Sequence, residues 1–202
     1  MKKQKQDIID QSLKIIFNEG LRSFTVDRLS SIIRISKKTI YSIFATKEIL
    51  IDKIIQYKLL SIDKEIDTIL NKNKCPIKSF YEINQLHIKI SSDVDIDKLV
   101  ELKIKYPKIW SRVEDNRKNK VDMMNQIFSK AAKMGYVRNK STIDSVSHLY
   151  MNIVNRTFQP DFFYQEDLSL KDTIDLFADI MAKGIFNNKG IDILESIKKG
   201  NN

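Results

Sequence analysis

Apolar residues along this chain recur at spacings of three and four rather than two, and that spacing predicts helices almost from end to end. Ile8, Ile9, Ile15 and Ile16 mark the turns of a first helix, which Gly20 can end in the left-handed conformation. The basic arm before it, residues 1–6, is expected to fray. Val26, Leu29 and Ile33, at i, i+3 and i+7, give a short second helix one buried face. Ile40 and Phe44, four apart, do the same for a short third helix, with Ile35 in the turn between the two. A long apolar series from Leu50 to Leu70 then carries a fourth helix from Lys47 to about Asn71, roughly 35–40 Å long.

Beyond Pro76 the same rhythm predicts a fifth helix over 77–91 and a sixth over 95–105. A seventh runs from Pro107 to near Gly135, with the polar stretch 112–120 as an exposed part of it or, as the alternative, a break in it. An eighth opens at Ser141, where Ser-Thr-Ile-Asp resembles a capping box, and reaches Phe158. An aromatic loop, 159–164, leads to a ninth, from Ser169 to Phe186, and a short amphipathic segment closes the chain. Thr25, Ser36 and Thr46 stand where N-caps belong. The expectation is an all-α protein of about nine helices, with a three-helix N-terminal domain (residues 1–46) and a larger helical bundle (47–202).

Composition agrees with that picture. Five glycines and three prolines in 202 residues leave little turn punctuation for a sheet protein. The formal net charge is +9; residues 1–50 hold ten Lys/Arg against five acids, so a quarter of the chain carries +5 of it. Basic charge gathered on the helical head is the footprint expected of a polyanion-binding surface. A single cysteine, Cys75, excludes an internal disulfide framework and suits a reducing cytoplasm. No apolar run has the length to span a bilayer, so no membrane partner is expected. His87, His148 and Cys75 lie far apart without ligand spacing, and there is no glycine-rich phosphate loop or nucleophile elbow. Neither metal, cofactor nor catalysis is expected.

The chemistry lies in residues 25–47. The outward positions of the third helix are Lys37, Lys38, Thr39, Tyr41 and Ser42, side chains that reach phosphates and base edges. Ser36 opens that helix, and Thr25 and Lys47 stand at the starts of the second and fourth, where phosphates seat readily. Capping alone is the plain alternative for Thr25, and helix packing for Tyr41. The arrangement reads as a helix-turn-helix that binds DNA. Residues 8–50 also resemble the DNA-binding region of the TetR (tetracycline-repressor) family of transcription regulators. The resemblance rests on Phe17-Asn-Glu-Gly20, Phe24-Thr-Val26 and Leu29, then Ser36-Lys-Lys-Thr-Ile-Tyr41, Phe44 and Thr46-Lys-Glu-Ile-Leu50. It departs at Ser30, at Ile33-Arg34 and at Ile43, where that family usually has alanine, a small residue followed by glycine, and histidine. An arginine in a turn requiring positive φ costs about 1–2 kcal/mol against glycine.

The eighth and ninth predicted helices are apolar on more than one side. Val146, Leu149, Ile153, Ile174, Phe177, Ile180 and Met181 are therefore candidates for a homodimer interface, unless segment 190–198 covers the extra stripe. The resemblance implies the same pairing, and a two-fold dimer suits a palindromic operator in double-stranded DNA. It also implies a pocket for a small apolar or amphipathic ligand; Tyr81, His87, Trp110, Met124, Phe128 and Tyr150 are candidates, each with plain core packing as the alternative. The expected function is sequence-specific regulation of transcription, as a repressor relieved by its ligand. The competing expectation is an architectural DNA-binding module with no effector.

Overall fold

The computed structural model describes residues 2–92 and 94–200. Twelve helices are present among them. The first four are α1 (Lys2–Glu19), α2 (Val26–Ile33), α3 (Lys37–Ile43) and α4 (Lys47–Lys72). Then follow α5 (Pro76–Ser92), α6 (Ile96–Lys105), α7 (Pro107–Lys118) and α8 (Val121–Lys133). The last four are α9 (Ile143–Thr157), α10 (Pro160–Glu166), α11 (Leu170–Ile185) and α12 (Asn188–Gly200). The extended pairing among the described residues is a single antiparallel bridge, Val137 with Phe186. No helix among them is long and apolar enough to cross a membrane.

The chain divides into two compact units, each assembled from two segments. The first takes residues up to Asp63 together with Asp97–Val113, and the second takes Lys64–Ile96 with the chain from Glu114 onward. Compactness therefore does not divide the chain at residue 46. The first unit's core explains why: Leu50, Ile51 and Ile54 of α4, Leu102 of α6, and Ile109 and Trp110 of α7 pack with Ile8, Phe24, Leu29, Ile40 and Phe44. Three short helices alone would leave that apolar surface wet. In the second unit α8 packs on α9, and α5 packs on α8, α11 and α12.

Several local expectations are revised. The segment 2–6 belongs to α1 instead of fraying, while Met1 of that arm lies outside the described residues. The predicted seventh helix is two helices, broken at Asn119-Lys120, and the aromatic loop holds α10, started by Pro160 at its first turn. Ser141 does not cap α9. Its N–H and hydroxyl both bond Asn139 Oδ1, at 3.0 and 2.8 Å, and Thr142 stands at the N-cap without a side-chain bond. Ser169 does cap α11, accepting from Asp172 N at 3.2 Å. The α12 start is tied down by Asn187. Its Nδ2 donates to Gly135 O (2.9 Å) and Val137 O (3.2 Å), and its Oδ1 accepts from Gly190 N (3.1 Å). Gly190 is required there, since a Cβ would lie 2.6 Å from Tyr136 O.

Candidate nucleic-acid interface

The head is set by three caps and one turn. Thr25 Oγ1 accepts from Arg28 N, Ser36 Oγ from Thr39 N and Thr46 Oγ1 from Ile49 N, each at 3.1 Å. Each bond satisfies an N–H that the first turn of a helix leaves without an intrahelical partner. Between α2 and α3 the chain reverses at Arg34, in the left-handed region at φ 54° and ψ 40°. Ser30 clasps that reversal: its hydroxyl donates to Ile35 O at 2.6 Å, and its carbonyl accepts from Ile35 N at 3.2 Å. A side chain where alanine would be usual thus steadies the turn that the arginine strains.

With Ile40 and Phe44 buried, the opposite face of α3 points outward. Lys37, Lys38, Tyr41 and Ser42 are exposed and Thr39 is half-buried. Tyr41 is 43% exposed, enough for its hydroxyl to meet solvent. Thr39 and Ser42 are locally bonded, Thr39 Oγ1 with Ser36 Oγ at 2.8 Å and Ser42 Oγ to Thr39 O at 2.7 Å. Both hydroxyls keep acceptor capacity. Thr25, which caps α2, is exposed as well.

Charge is distributed less simply than the sequence implies. Lys37 Nζ pairs with the carboxylate of Asp27 on α2. Arg28 Nη1 lies 2.6 Å from Glu19 Oε2 at the end of α1. Lys47 is half-buried, its Nζ 5.5 Å from the centre of the Phe24 ring. Burial pulls its ammonium below the ordinary lysine range, nearby Lys105 adds to the shift and Glu101 opposes it. Lys98 of α6 closes the C-terminal end of α1, donating to Phe17 O at 2.9 Å and Asn18 O at 3.0 Å. Neither Asp27 nor Ser30 was a candidate from sequence, because both act across a turn, where helical periodicity carries no signal.

The residues expected to line a ligand pocket separate into two places. Trp110 belongs to the first unit, 3% exposed in its core. It sits on the first half of α7, which closes the head. Met124, Phe128 and Tyr150 are buried in the second unit, with Tyr81 and His87 half-buried. Phe128 packs edge-on or tilted against Phe80, Tyr150 and Phe186, and Phe80 in turn meets Tyr150 and Phe186, at centroid separations of 5.3 to 6.3 Å, a packed aromatic core. The Tyr150 hydroxyl donates to Asn84 Oδ1 at 3.4 Å, and burial raises its pKa despite that bond. Burial holds the His87 imidazole down to about 4, with Arg117 and Lys120 adding to the shift, so it is neutral near pH 7. Arg117, in a stretch expected to be wholly exposed, is half-buried and donates to Phe158 O at 2.7 Å.

The apolar residues of α9 and α11 divide between surface and core. Leu149, Leu176 and Ile180 are 58, 61 and 57% exposed, so α12 leaves them uncovered. Val146, Ile153, Ile174 and Met181 are half-buried beside them. Phe177 differs from expectation: its ring turns into the core, 5.1 Å from Tyr150 and 5.4 Å from Phe158.

No protein-family model and no curated protein sequence matches this chain. Solved structures do match. A TetR transcription regulator from Haloarcula marismortui superposes with a TM-score of 0.74 at 14% identity, over 93% of this chain and 100% of its own. The fold is that of the TetR-family regulators. A transcriptional regulator from Cytophaga hutchinsonii gives 0.71 at 17% identity, covering 91% and 99% of the two chains. A putative transcriptional regulator from Saccharomonospora viridis, solved in complex with choline, gives 0.66 at 12% identity, covering 93% and 100%. The TetR fold thus runs through both units, well beyond the residues that carry the sequence resemblance.

Proposed function

We propose that this chain is a sequence-specific DNA-binding regulator of transcription, a repressor that a small apolar or amphipathic ligand releases from its operator. The observation that carries the reading is the outward face of α3. Lysines, hydroxyls and an exposed tyrosine are held there by a buried Ile40–Phe44 seam, the chemistry and width that a major groove admits. The TetR fold supports it, as do the uncovered leucines and isoleucine of α9 and α11, which suit a second copy of the chain. Pairing would present two reading helices to a palindromic operator, in the manner of two-fold helix-turn-helix proteins.

Release would be a population shift. Both α4 and α7 run unbroken from one unit into the other, so a change in the second unit has continuous helices along which to reach the head. A ligand lowers DNA affinity only by its differential affinity for the two arrangements. Choline in the Saccharomonospora protein supports a small-molecule site in this fold, without naming the ligand here.

Binding to a selected duplex at moderate salt tests the interface. Tyr41→Phe and Lys47→Ala should each weaken binding about five- to tenfold on all sequences, the loss of one backbone hydrogen bond or charge contact. Wild-type affinity in both variants would remove these roles. Equal retention of unrelated duplexes by the wild type would favour an architectural module instead.

A further inference from the structure

The reading helix begins with a lysine that is already engaged. Lys37 opens α3, and its Nζ rests on the carboxylate of Asp27, in the first turn of α2 across the Arg34 reversal. Both side chains are open to solvent, at 55 and 68% exposure, so neither is buried out of reach of a duplex. Arg28, the neighbouring cation on α2, is likewise engaged, by Glu19. Lys38 is exposed, with no ion-pair partner among the described residues. An acid from α2 therefore stands on the lysine of the reading face closest to the turn, on a head whose overall charge favours any phosphate.

Resting on the regulator reading above, we propose that Asp27 is a specificity residue that reserves Lys37 for a base edge and withholds it from the phosphate backbone. An ammonium has three donors. While one stays on Asp27, another can still reach the O6 or N7 of a guanine, an uncharged acceptor in the major groove. A phosphate is different. For Lys37 to serve it, the ammonium must leave Asp27 or the carboxylate must accompany it toward a like charge, and both weaken the contact. Non-specific binding consists mainly of such phosphate contacts, so Asp27 depresses it more than it depresses operator binding. The pair is exposed and adds little to stability, so its value is in discrimination.

The test uses the full chain and two duplexes: one that the wild type selects from a random-sequence library, and a scrambled duplex of equal composition. Affinity is measured for both across a salt series. Asp27→Asn should bind the scrambled duplex about fivefold more tightly, with a log–log salt slope steeper by about one and a correspondingly reduced specificity ratio. Asp27→Glu, which keeps the carboxylate, should restore most of the ratio. In a Lys37→Met background, Asp27→Asn should leave the ratio unchanged. An undiminished ratio in Asp27→Asn overturns the assignment. So does an equal fall with and without Lys37, which would make Asp27 a general repulsive charge. A wild-type chain that selects no sequence overturns the regulator reading itself, and the assignment with it.

Discussion

Arg34 stands at φ 54°, where the Cβ of an L-residue crowds its own backbone, and the clasp from Ser30 to Ile35 O holds it there. Glycine has no Cβ to crowd, though it loses more chain entropy on folding. Arg34→Gly should therefore raise stability by about 0.5–1 kcal/mol, read as a higher denaturation midpoint with an unchanged m-value. A lower midpoint would show that the arginine is not strained. His87 belongs to the same scale. Its folded pKa of about 4 lies below the ordinary 6.5, so protonation favours the unfolded chain. Stability should be level above pH 6.5 and fall toward pH 4, by up to roughly 3 kcal/mol in all. His87→Gln should flatten that window; an unchanged slope would place the titrating group elsewhere. The αL position at Arg34 was legible because the resemblance marks a glycine there. The Asp27–Lys37 pair was not, since ten residues of separation across a turn match no helical spacing.

At the scale of elements, the apolar rhythm located every long helix, because burial of one face is what makes a helix pay in water. Its failures are the break inside the predicted seventh helix and the helix ends, where hydrogen bonds decide. Ser141 and Ser169 open similar four-residue strings, yet only Ser169 bonds the helix it precedes, while Ser141 turns back to Asn139. Ser169→Ala should cost about 1 kcal/mol, and Ser141→Ala clearly less, by thermal or chemical unfolding of the two variants side by side. Equal costs would mean that the string, not the bond, sets the energy. The break at Asn119-Lys120 is marked only by the polar run 112–120, which allows a break without placing it, for neither glycine nor proline stands there. The start of α10 did leave one: Pro160 supplies the fixed φ suited to a first helical turn.

At the scale of the molecule, sequence separates a strongly basic head from the rest of the chain, but compact units need not be continuous in the chain. Asp97–Val113 returns to complete the first unit, bringing Leu102, Ile109 and Trp110 into its core, and no local pattern announces such a return. That return takes Trp110, a ligand-lining candidate by its sequence alone, into the core of the first unit. The exposed apolar residues of α9 and α11 were legible because a second stripe has no use on a solvated helix. These features meet in the proposal that paired copies present two α3 helices to one face of a duplex. A hydroxyl-radical footprint of the wild-type chain on the duplex it selects tests this most directly. Two protected patches should appear, related by a two-fold axis and separated by about one helical turn or a multiple of it, roughly 34–36 Å per turn. A single unpaired patch, or even protection along the whole duplex, would contradict the account.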